Sequence, residues 1–157
     1  AFKVRNSNLQ ALKSKRDQEG LHQDDGIEFL IDPNNDKSEA WGNDDVAYHI
    51  SVKNAILDEK GNNTDGAYNR SWNGKAKTAV TVSGTINQPK DMDKGYQVEV
   101  AIPWKELGVE PEPGLEIGIN VAVNDRDDGS GNYRYYDYMN LSFFHYPAGF
   151  ATLLLKK

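Results

Sequence analysis

Apolar and polar residues alternate with a period of two through the patterned stretches of this 157-residue chain. That period sends successive side chains to opposite faces of a strand. In Gly26–Asp32, Ile27, Phe29 and Ile31 share one face, and Glu28 and Leu30 share the other. In Asp45–Lys53, Val46, Tyr48, Ile50 and Val52 oppose Ala47, His49 and Ser51. In Gly95–Pro103, Tyr96, Val98, Val100 and Ile102 oppose Gln97, Glu99 and Ala101. In Glu116–Asn124, Ile117, Ile119, Val121 and Val123 oppose Gly118, Asn120, Ala122 and Asn124. Each stretch has one apolar face, which predicts a core between packed sheets containing Phe29, Tyr48, Ile50, Val98, Val100, Ile119 and Val121. Further strands are predicted at Ala1–Arg5, Lys77–Thr85, Tyr133–Tyr138 and Phe150–Leu155. Gly, Asn, Asp and Pro punctuate the intervals as turn formers. The pattern predicts an all-β chain, a single antiparallel β-sandwich with jelly-roll-like connections over residues 1–157. A short helix is expected at Leu9–Arg16, a single turn at Trp104–Leu107 behind Pro103, and a long loop over Asp58–Gly74.

The polar faces of these strands carry Glu28, His49, Gln97, Glu99, Asn120 and Asn124. Two readings stand side by side: an ordinary solvated sheet face, or a hydrogen-bonding surface for a ligand. As an outer-face residue, Glu28 is expected to matter more for binding than for stability. The formal net charge of −6 would repel a phosphate backbone, so no nucleic acid partner is expected. No apolar run approaches the ~20 residues of a membrane span. The absence of cysteine excludes disulfides, thiolate zinc sites and cysteine nucleophiles. Histidines occur only at 22, 49 and 145, too scattered for an H-E-x-x-H site, and neither a G-x-S-x-G elbow nor a Gly-rich phosphate loop is present. Paired carboxylates meet only in three dimensions, but the chain is short for a glycosidase. No enzyme activity is expected.

Sugars are held by aromatic faces against C–H surfaces and by planar polar groups on hydroxyls. Trp41, Tyr68, Trp72, Phe143, Phe144 and Tyr146 fall in predicted loops or at strand ends. Trp104 reads as a core plug, and Trp72 as either a ligand platform or a structural residue. Two acidic turns offer oxygen ligands for calcium. One contributes Asp32, Asn34 and Asp36 and the other Asp125 and Asp127. Both also read as plain turn chemistry.

Four segments in order resemble one known family. Gly95-Tyr96-Gln97-Val98-Glu99-Val100-Ala101-Ile102-Pro103-Trp104 is similar to the "G-Y-x-V-E-x-A-I-P-W" strand of family 9 carbohydrate-binding modules. Asp25–Asp32 resembles their "D-S-V-E-I-F-I-D" strand, Ile117–Asp125 their "I-G-F-N-I-Q-V-N-D" strand, and Pro147–Leu153 their "P-S-x-F-G-x-L" tail. The resemblance implies a sandwich that binds sugar chain ends between two tryptophans, often with structural calcium. It implies an extracellular or cell-envelope setting within a larger parent protein carrying catalytic or other domains. It also implies that the N-terminal strands of such modules lie outside this sequence. By the same resemblance Glu28 matches a sugar-binding glutamate, and His49 stands where an arginine can sit. His22 and Phe144 take the places of the clamp tryptophans, and Ala122 replaces a glutamine. Trp72 or Trp41 would be a substitute platform. Two other readings are a haem-binding electron-transfer sandwich, for which only Met92 and Met139 offer thioether ligands, and a cell-surface interaction domain that has lost sugar binding.

Overall fold

A computed structural model describes residues 1–62, 68–126, 133–141, 143 and 145–157. Its strands are β1 (Phe2–Val4), β2 (Gly26–Asp32), β3 (Val46–Ser51), β4 (Ile56–Gly61), β5 (Tyr68–Asn69), β6 (Lys77–Ser83), β7 (Gly95–Ala101), β8 (Glu116–Asp125), β9 (Arg134–Asp137) and β10 (Ala151–Leu154). One helical turn, α1 (Trp104–Leu107), follows Pro103 and ends at Gly108, whose φ of 72° is a left-handed C-terminal conformation. Short 3₁₀ turns lie at Leu21–Gln23 and Pro147–Gly149.

The strands form two antiparallel sheets. The small sheet has the order β1-β7-β6. The large one runs β10-β8-β2-β3-β4-β5, with β9 also paired to β8. The predicted all-β sandwich is therefore present. Ile27, Ile31, Val46, Tyr48 and Ile50 of the large sheet pack with Tyr96 and Val98 of the small one in the main core. Tyr96 also donates its hydroxyl to the Gly26 carbonyl at 2.7 Å, tying the sheets together through a polar tip. Phe29, Val100 and Ile119 are half-buried against this core, and Val121 is half-buried too. Three strands cannot cover seven, so side chains beyond the overlap keep partial exposure. Trp104 packs against the same core, as expected of a plug.

Three expectations are corrected. Leu9–Arg16 is not helical. Its amides are taken by distant side chains: Leu9 N by Asp93 Oδ2, Gln10 N by Asp25 Oδ2, Ala11 N by Asn87 Oδ1, and Leu12 and Lys13 N by Asp24 Oδ2. A helix begun at Leu9 would need the amides from Lys13 onward, and Lys13, Ser14 and Lys15 N are given instead to Asp24 Oδ2 and Gln18 Oε1, while the strap buries Leu9 and Ala11. The predicted loop over Asp58–Gly74 hides strand residues, because β4 extends to Gly61 and β5 pairs with it. Charged Asp58, Glu59 and Lys60 concealed the pattern. Finally, Gln97 and Glu99 belong to the small sheet and do not share a face with Glu28 and His49.

Candidate functional site

The outer face of the large sheet is not a solvated surface. Strand register places Glu28 directly opposite His49 on one side and Ala122 on the other. On β4, Leu57 and Glu59 project to this same face, opposite His49 and Ala47 respectively. Two small apolar clusters close the face at its ends. One joins Leu30, Trp41, Ala47 and Phe150, the other Leu21, Ala55 and Leu57. The 3₁₀ turn carrying Leu21 and His22 contacts β3, β4 and β8 and forms part of the roof. Glu28 and Glu59 are each 1% exposed and His49 is 3% exposed. Glu28 is therefore an interior group, contrary to the outer-face expectation.

Between the apolar clusters runs a charged network. His49 Nδ1 lies 3.0 Å from Glu28 Oε1 as an ion pair, and that oxygen accepts a hydrogen bond from Asn124 Nδ2 at 2.7 Å. His49 Nε2 lies 3.8 Å and His145 Nε2 lies 3.4 Å from Glu59 Oε2. Arg70 Nε donates to the other Glu59 oxygen at 2.8 Å. Burial alone would pull the His49 imidazole down, but the carboxylates of Glu28 and Glu59 outweigh it and push it up to about 10. Burial tends to raise Glu28 and Glu59, yet His49, His145, Asn124 and Arg70 hold both below the usual carboxylate range. Glu28 Oε2, Glu59 Oε2, Asn120 Nδ2 and Asn124 Oδ1 have no hydrogen-bond partner among the described residues. Buried polar atoms are rarely left so, and a cluster of them calls for a ligand or water.

Aromatic rings stand above this network. Tyr68 stacks on His145 with centroids 5.2 Å apart, and the Arg70 guanidinium lies 4.9 Å over Tyr68. His22 meets Tyr133 edge-on at 5.6 Å and stands 6.3 Å from His49. Burial, with the nearby His49 charge, lowers His22, which favours a neutral ring. Phe143 is 58% exposed and 5.8 Å from His145.

The structure thus brings Glu28, His49 and His22 together. Trp72 is elsewhere: it packs on Tyr48 with centroids 6.0 Å apart, on the core side of β3. The alternation that turns His49 to the roofed face turns Tyr48, and so Trp72, to the other. Trp41 is 1% exposed and fills the apolar end of the face, edge-on to His145 at 4.9 Å. Phe144 lies outside the described residues. Glu59, Arg70 and His145 were not singled out from sequence, though three histidines in so acidic a chain were a signal. Met92 is 86% exposed in the β6–β7 connection, a poor place for an enclosed haem ligand.

Of the acidic turns, Asp32 gathers with Asp44 and Asp45, one oxygen from each lying within 4.8 Å of the others. Asn34 donates Nδ2 to Asp44 Oδ2 at 2.8 Å, and Asp36 accepts from Ser38 N at 2.9 Å. The group of three converging carboxylates thus contains Asp32 of the predicted set, with Asn34 hydrogen-bonded to its member Asp44. Asp125 accepts from Asn6 Nδ2 at 3.1 Å, and Asp127 lies outside the described residues.

Comparison with known proteins supplies a frame for this geometry. Residues 2–157 match the family model described as "Carbohydrate family 9 binding domain-like". Endo-1,4-beta-xylanase A of Thermoanaerobacterium saccharolyticum is 31% identical over 107 residues, 68% of this chain and 8% of that protein. Endo-1,4-beta-xylanase A of Thermotoga maritima is 32% identical over 113 residues, 72% of this chain and 9% of that protein. The chain therefore spans less than a tenth of these relatives. Among solved structures, a family 9 carbohydrate-binding module from Caldicellulosiruptor kristjanssonii in complex with cellotriose superposes with TM-score 0.70 at 20% identity, covering 98% of this chain and 66% of that one. A module from the same organism in complex with glucose gives TM-score 0.66 at 22% identity, covering 93% and 65%. At such identities these two establish the shared fold.

Proposed function

The chain belongs to the carbohydrate family 9 binding domain-like family, and from that premise we propose that the roofed face of its large sheet binds sugar without catalysing a reaction. The observation that carries this reading is the pair of aromatic groups beside the buried Glu28–His49–Glu59 network, His22 with Tyr133 next to His49, and Tyr68 and Phe143 against His145 with Arg70 over Tyr68. Aromatic rings supply stacking area for the C–H face of a pyranose. Arg70 is exposed, and its guanidinium has donors beyond those engaged by Glu59 and Tyr68. Glu28 Oε2 and Asn124 Oδ1 are acceptors that a hydroxyl entering the face would satisfy. The sugar contacts His22, Arg70 and Tyr133 first, and Glu28 and His49 lie one layer beneath.

The partner class is a short β-linked gluco- or xylo-oligosaccharide. Two relatives named as endo-xylanases and modules solved with cellotriose or glucose support that choice. In this reading the domain anchors a larger, secreted polysaccharide-degrading protein to its substrate. A glycan array followed by calorimetry tests it. Arg70→Ala should weaken binding by roughly ten- to a hundredfold, the worth of a hydrogen bond from a charged donor. Glu99→Ala, on the small sheet, should leave it unchanged. Equal affinities for wild type and Arg70→Ala would sink the assignment of the face.

A calcium ion is proposed at Asp32, Asp44 and Asp45. The residues fit the ion. Three carboxylates converge, and Asp45 Oδ1 is buried with no hydrogen-bond partner among the described residues. Burial and the charges of Asp44, Asp32 and Asp36 push Asp45 up to about 8, as expected of a carboxylate cluster lacking a counter-charge. Calcium takes such oxygen donors and would supply that charge.

A further inference from the structure

We propose that His49, His145 and Glu59 form a binding site for one divalent transition metal of the zinc class, with Glu28 orienting His49. The three ligand atoms lie within 4.8 Å of one another, and all three residues are buried. Glu59 Oε2 stands 3.8 Å from His49 Nε2 and 3.4 Å from His145 Nε2. Ligands bound at 2.0–2.2 Å to a tetrahedral ion stand about 3.3–3.6 Å apart. Both separations from Glu59 Oε2 are therefore close to those of a bound ion, and the two imidazoles need only approach each other from within 4.8 Å.

The surroundings prepare the ligands for a metal. Arg70 occupies Glu59 Oε1, which leaves Oε2 facing the two imidazoles. That oxygen is fully enclosed and accepts no hydrogen bond among the described residues. Glu28 Oε1 sits 3.0 Å from His49 Nδ1, so a metal that displaces the Nε2 proton of the charged ring leaves the remaining proton on Nδ1 beside the carboxylate and the Nε2 lone pair toward Glu59. A carboxylate behind a ligating imidazole is the usual outer-shell support of a zinc site. Two nitrogens and one carboxylate oxygen leave a fourth position for water. Calcium takes oxygen ligands, so two imidazoles select against it and toward zinc, cobalt, nickel or copper. The site is independent of the Asp32–Asp44–Asp45 cluster and involves no residue of it.

The test uses chelator-stripped wild type and no sugar, so its failure and the failure of sugar binding are distinguishable. Titration with Co²⁺ should give one equivalent per chain with the intense visible absorption of four-coordinate cobalt, and Zn²⁺ should bleach it. By calorimetry, Glu28→Gln should weaken Zn²⁺ binding by roughly 10–100-fold, as for outer-shell partners elsewhere. His145→Ala and Glu59→Gln should weaken it further, and Glu99→Gln should not. Melting curves establish that each variant is folded. Should a variant fail to fold, nitrogen shifts of the His49 and His145 side chains in wild type replace it, and both Nε2 atoms must move on adding Zn²⁺. Absence of the four-coordinate cobalt band, Zn²⁺ affinity unchanged in His145→Ala, or equal displacement of Zn²⁺ by Ca²⁺ would each overturn the proposal.

Discussion

His49 and Glu28 face each other across the β2–β3 pair, Nδ1 to Oε1 at 3.0 Å, and neither is more than 3% exposed. A buried pair of this kind is costly to break from one side, because the surviving group keeps its desolvation cost without its partner. Glu28→Ala and His49→Ala should each destabilise the fold by about 3–5 kcal/mol. The double variant should cost less than the sum, by ~0.5–3 kcal/mol of coupling. Urea unfolding of the four proteins measures the cycle. Additive losses would mean that the two side chains do not act as a pair.

The pair also sets a pH dependence in metal-free protein. An unfolded histidine titrates near ~6.5. In the fold, burial opposes the charge on His49, but Glu28 and Glu59 win and raise it to about 10. The resulting stabilisation is complete below the unfolded value and disappears as pH rises through the folded one. Wild type should therefore lose more stability than His49→Gln between pH ~7 and ~10. Glu28 and Glu59 are lowered, so their contribution is present above ~4.5 and is lost as pH falls below it. Side-chain nitrogen spectra should show His49 as imidazolium at pH ~8. A neutral ring there would contradict the ordering of these forces.

Face membership was legible in the alternation because it is a local property of a strand. Glu28 and His49 are on one face, as the pattern requires. Which strands share a sheet is not local, and so Gln97 and Glu99 were grouped with residues of the other sheet. Glu59 was missed because Asp58-Glu59-Lys60 reads as a loop. It becomes a strand only by pairing with β3 and by the ties that Asp58 makes to Gly74 N and Arg16. Nor does sequence show that the Leu21–Gln23 turn and the rings of Tyr68, Tyr133 and His145 gather over the polar face and that Glu28 is buried there. Trp72, read from sequence as either a platform or a structural residue, packs on Tyr48, whose orientation the alternation did predict.

Asp93 is one of three carboxylates that hold the strap before the Leu21 turn. Asp93 is 5% exposed and accepts from Leu9 N at 2.6 Å and Thr85 N at 2.7 Å. Asp93→Ala leaves two amides unsatisfied and should cost roughly 3 kcal/mol or more, at ~1.5–3 per bond to a charged group. Chemical denaturation reads this directly. A loss below ~1 kcal/mol would mean that the strap is solvated in the native state.

Calcium removal provides a further check. At a free concentration ~100-fold above its dissociation constant, calcium should stabilise by ~2.7 kcal/mol. For a domain of this size that is about 5–11 °C in melting temperature. In protein first stripped of transition metals and reloaded with calcium alone, EDTA should remove the increment from wild type and have no effect on Asp45→Asn. An unchanged wild-type curve would count against calcium at Asp32, Asp44 and Asp45.

The most direct test of the sugar face is a nitrogen- and carbon-resolved titration of the labelled domain with cello- and xylo-oligosaccharides. If the roofed face is the site, the ring signals of His22, Tyr68 and Tyr133 and the guanidinium of Arg70 should move in saturable fashion. His49 should follow, and Gln97 and Glu99 on the small sheet should remain still. Saturable shifts confined to the small sheet or to the Trp72 side would contradict the account, as would no shift with any oligosaccharide of either class.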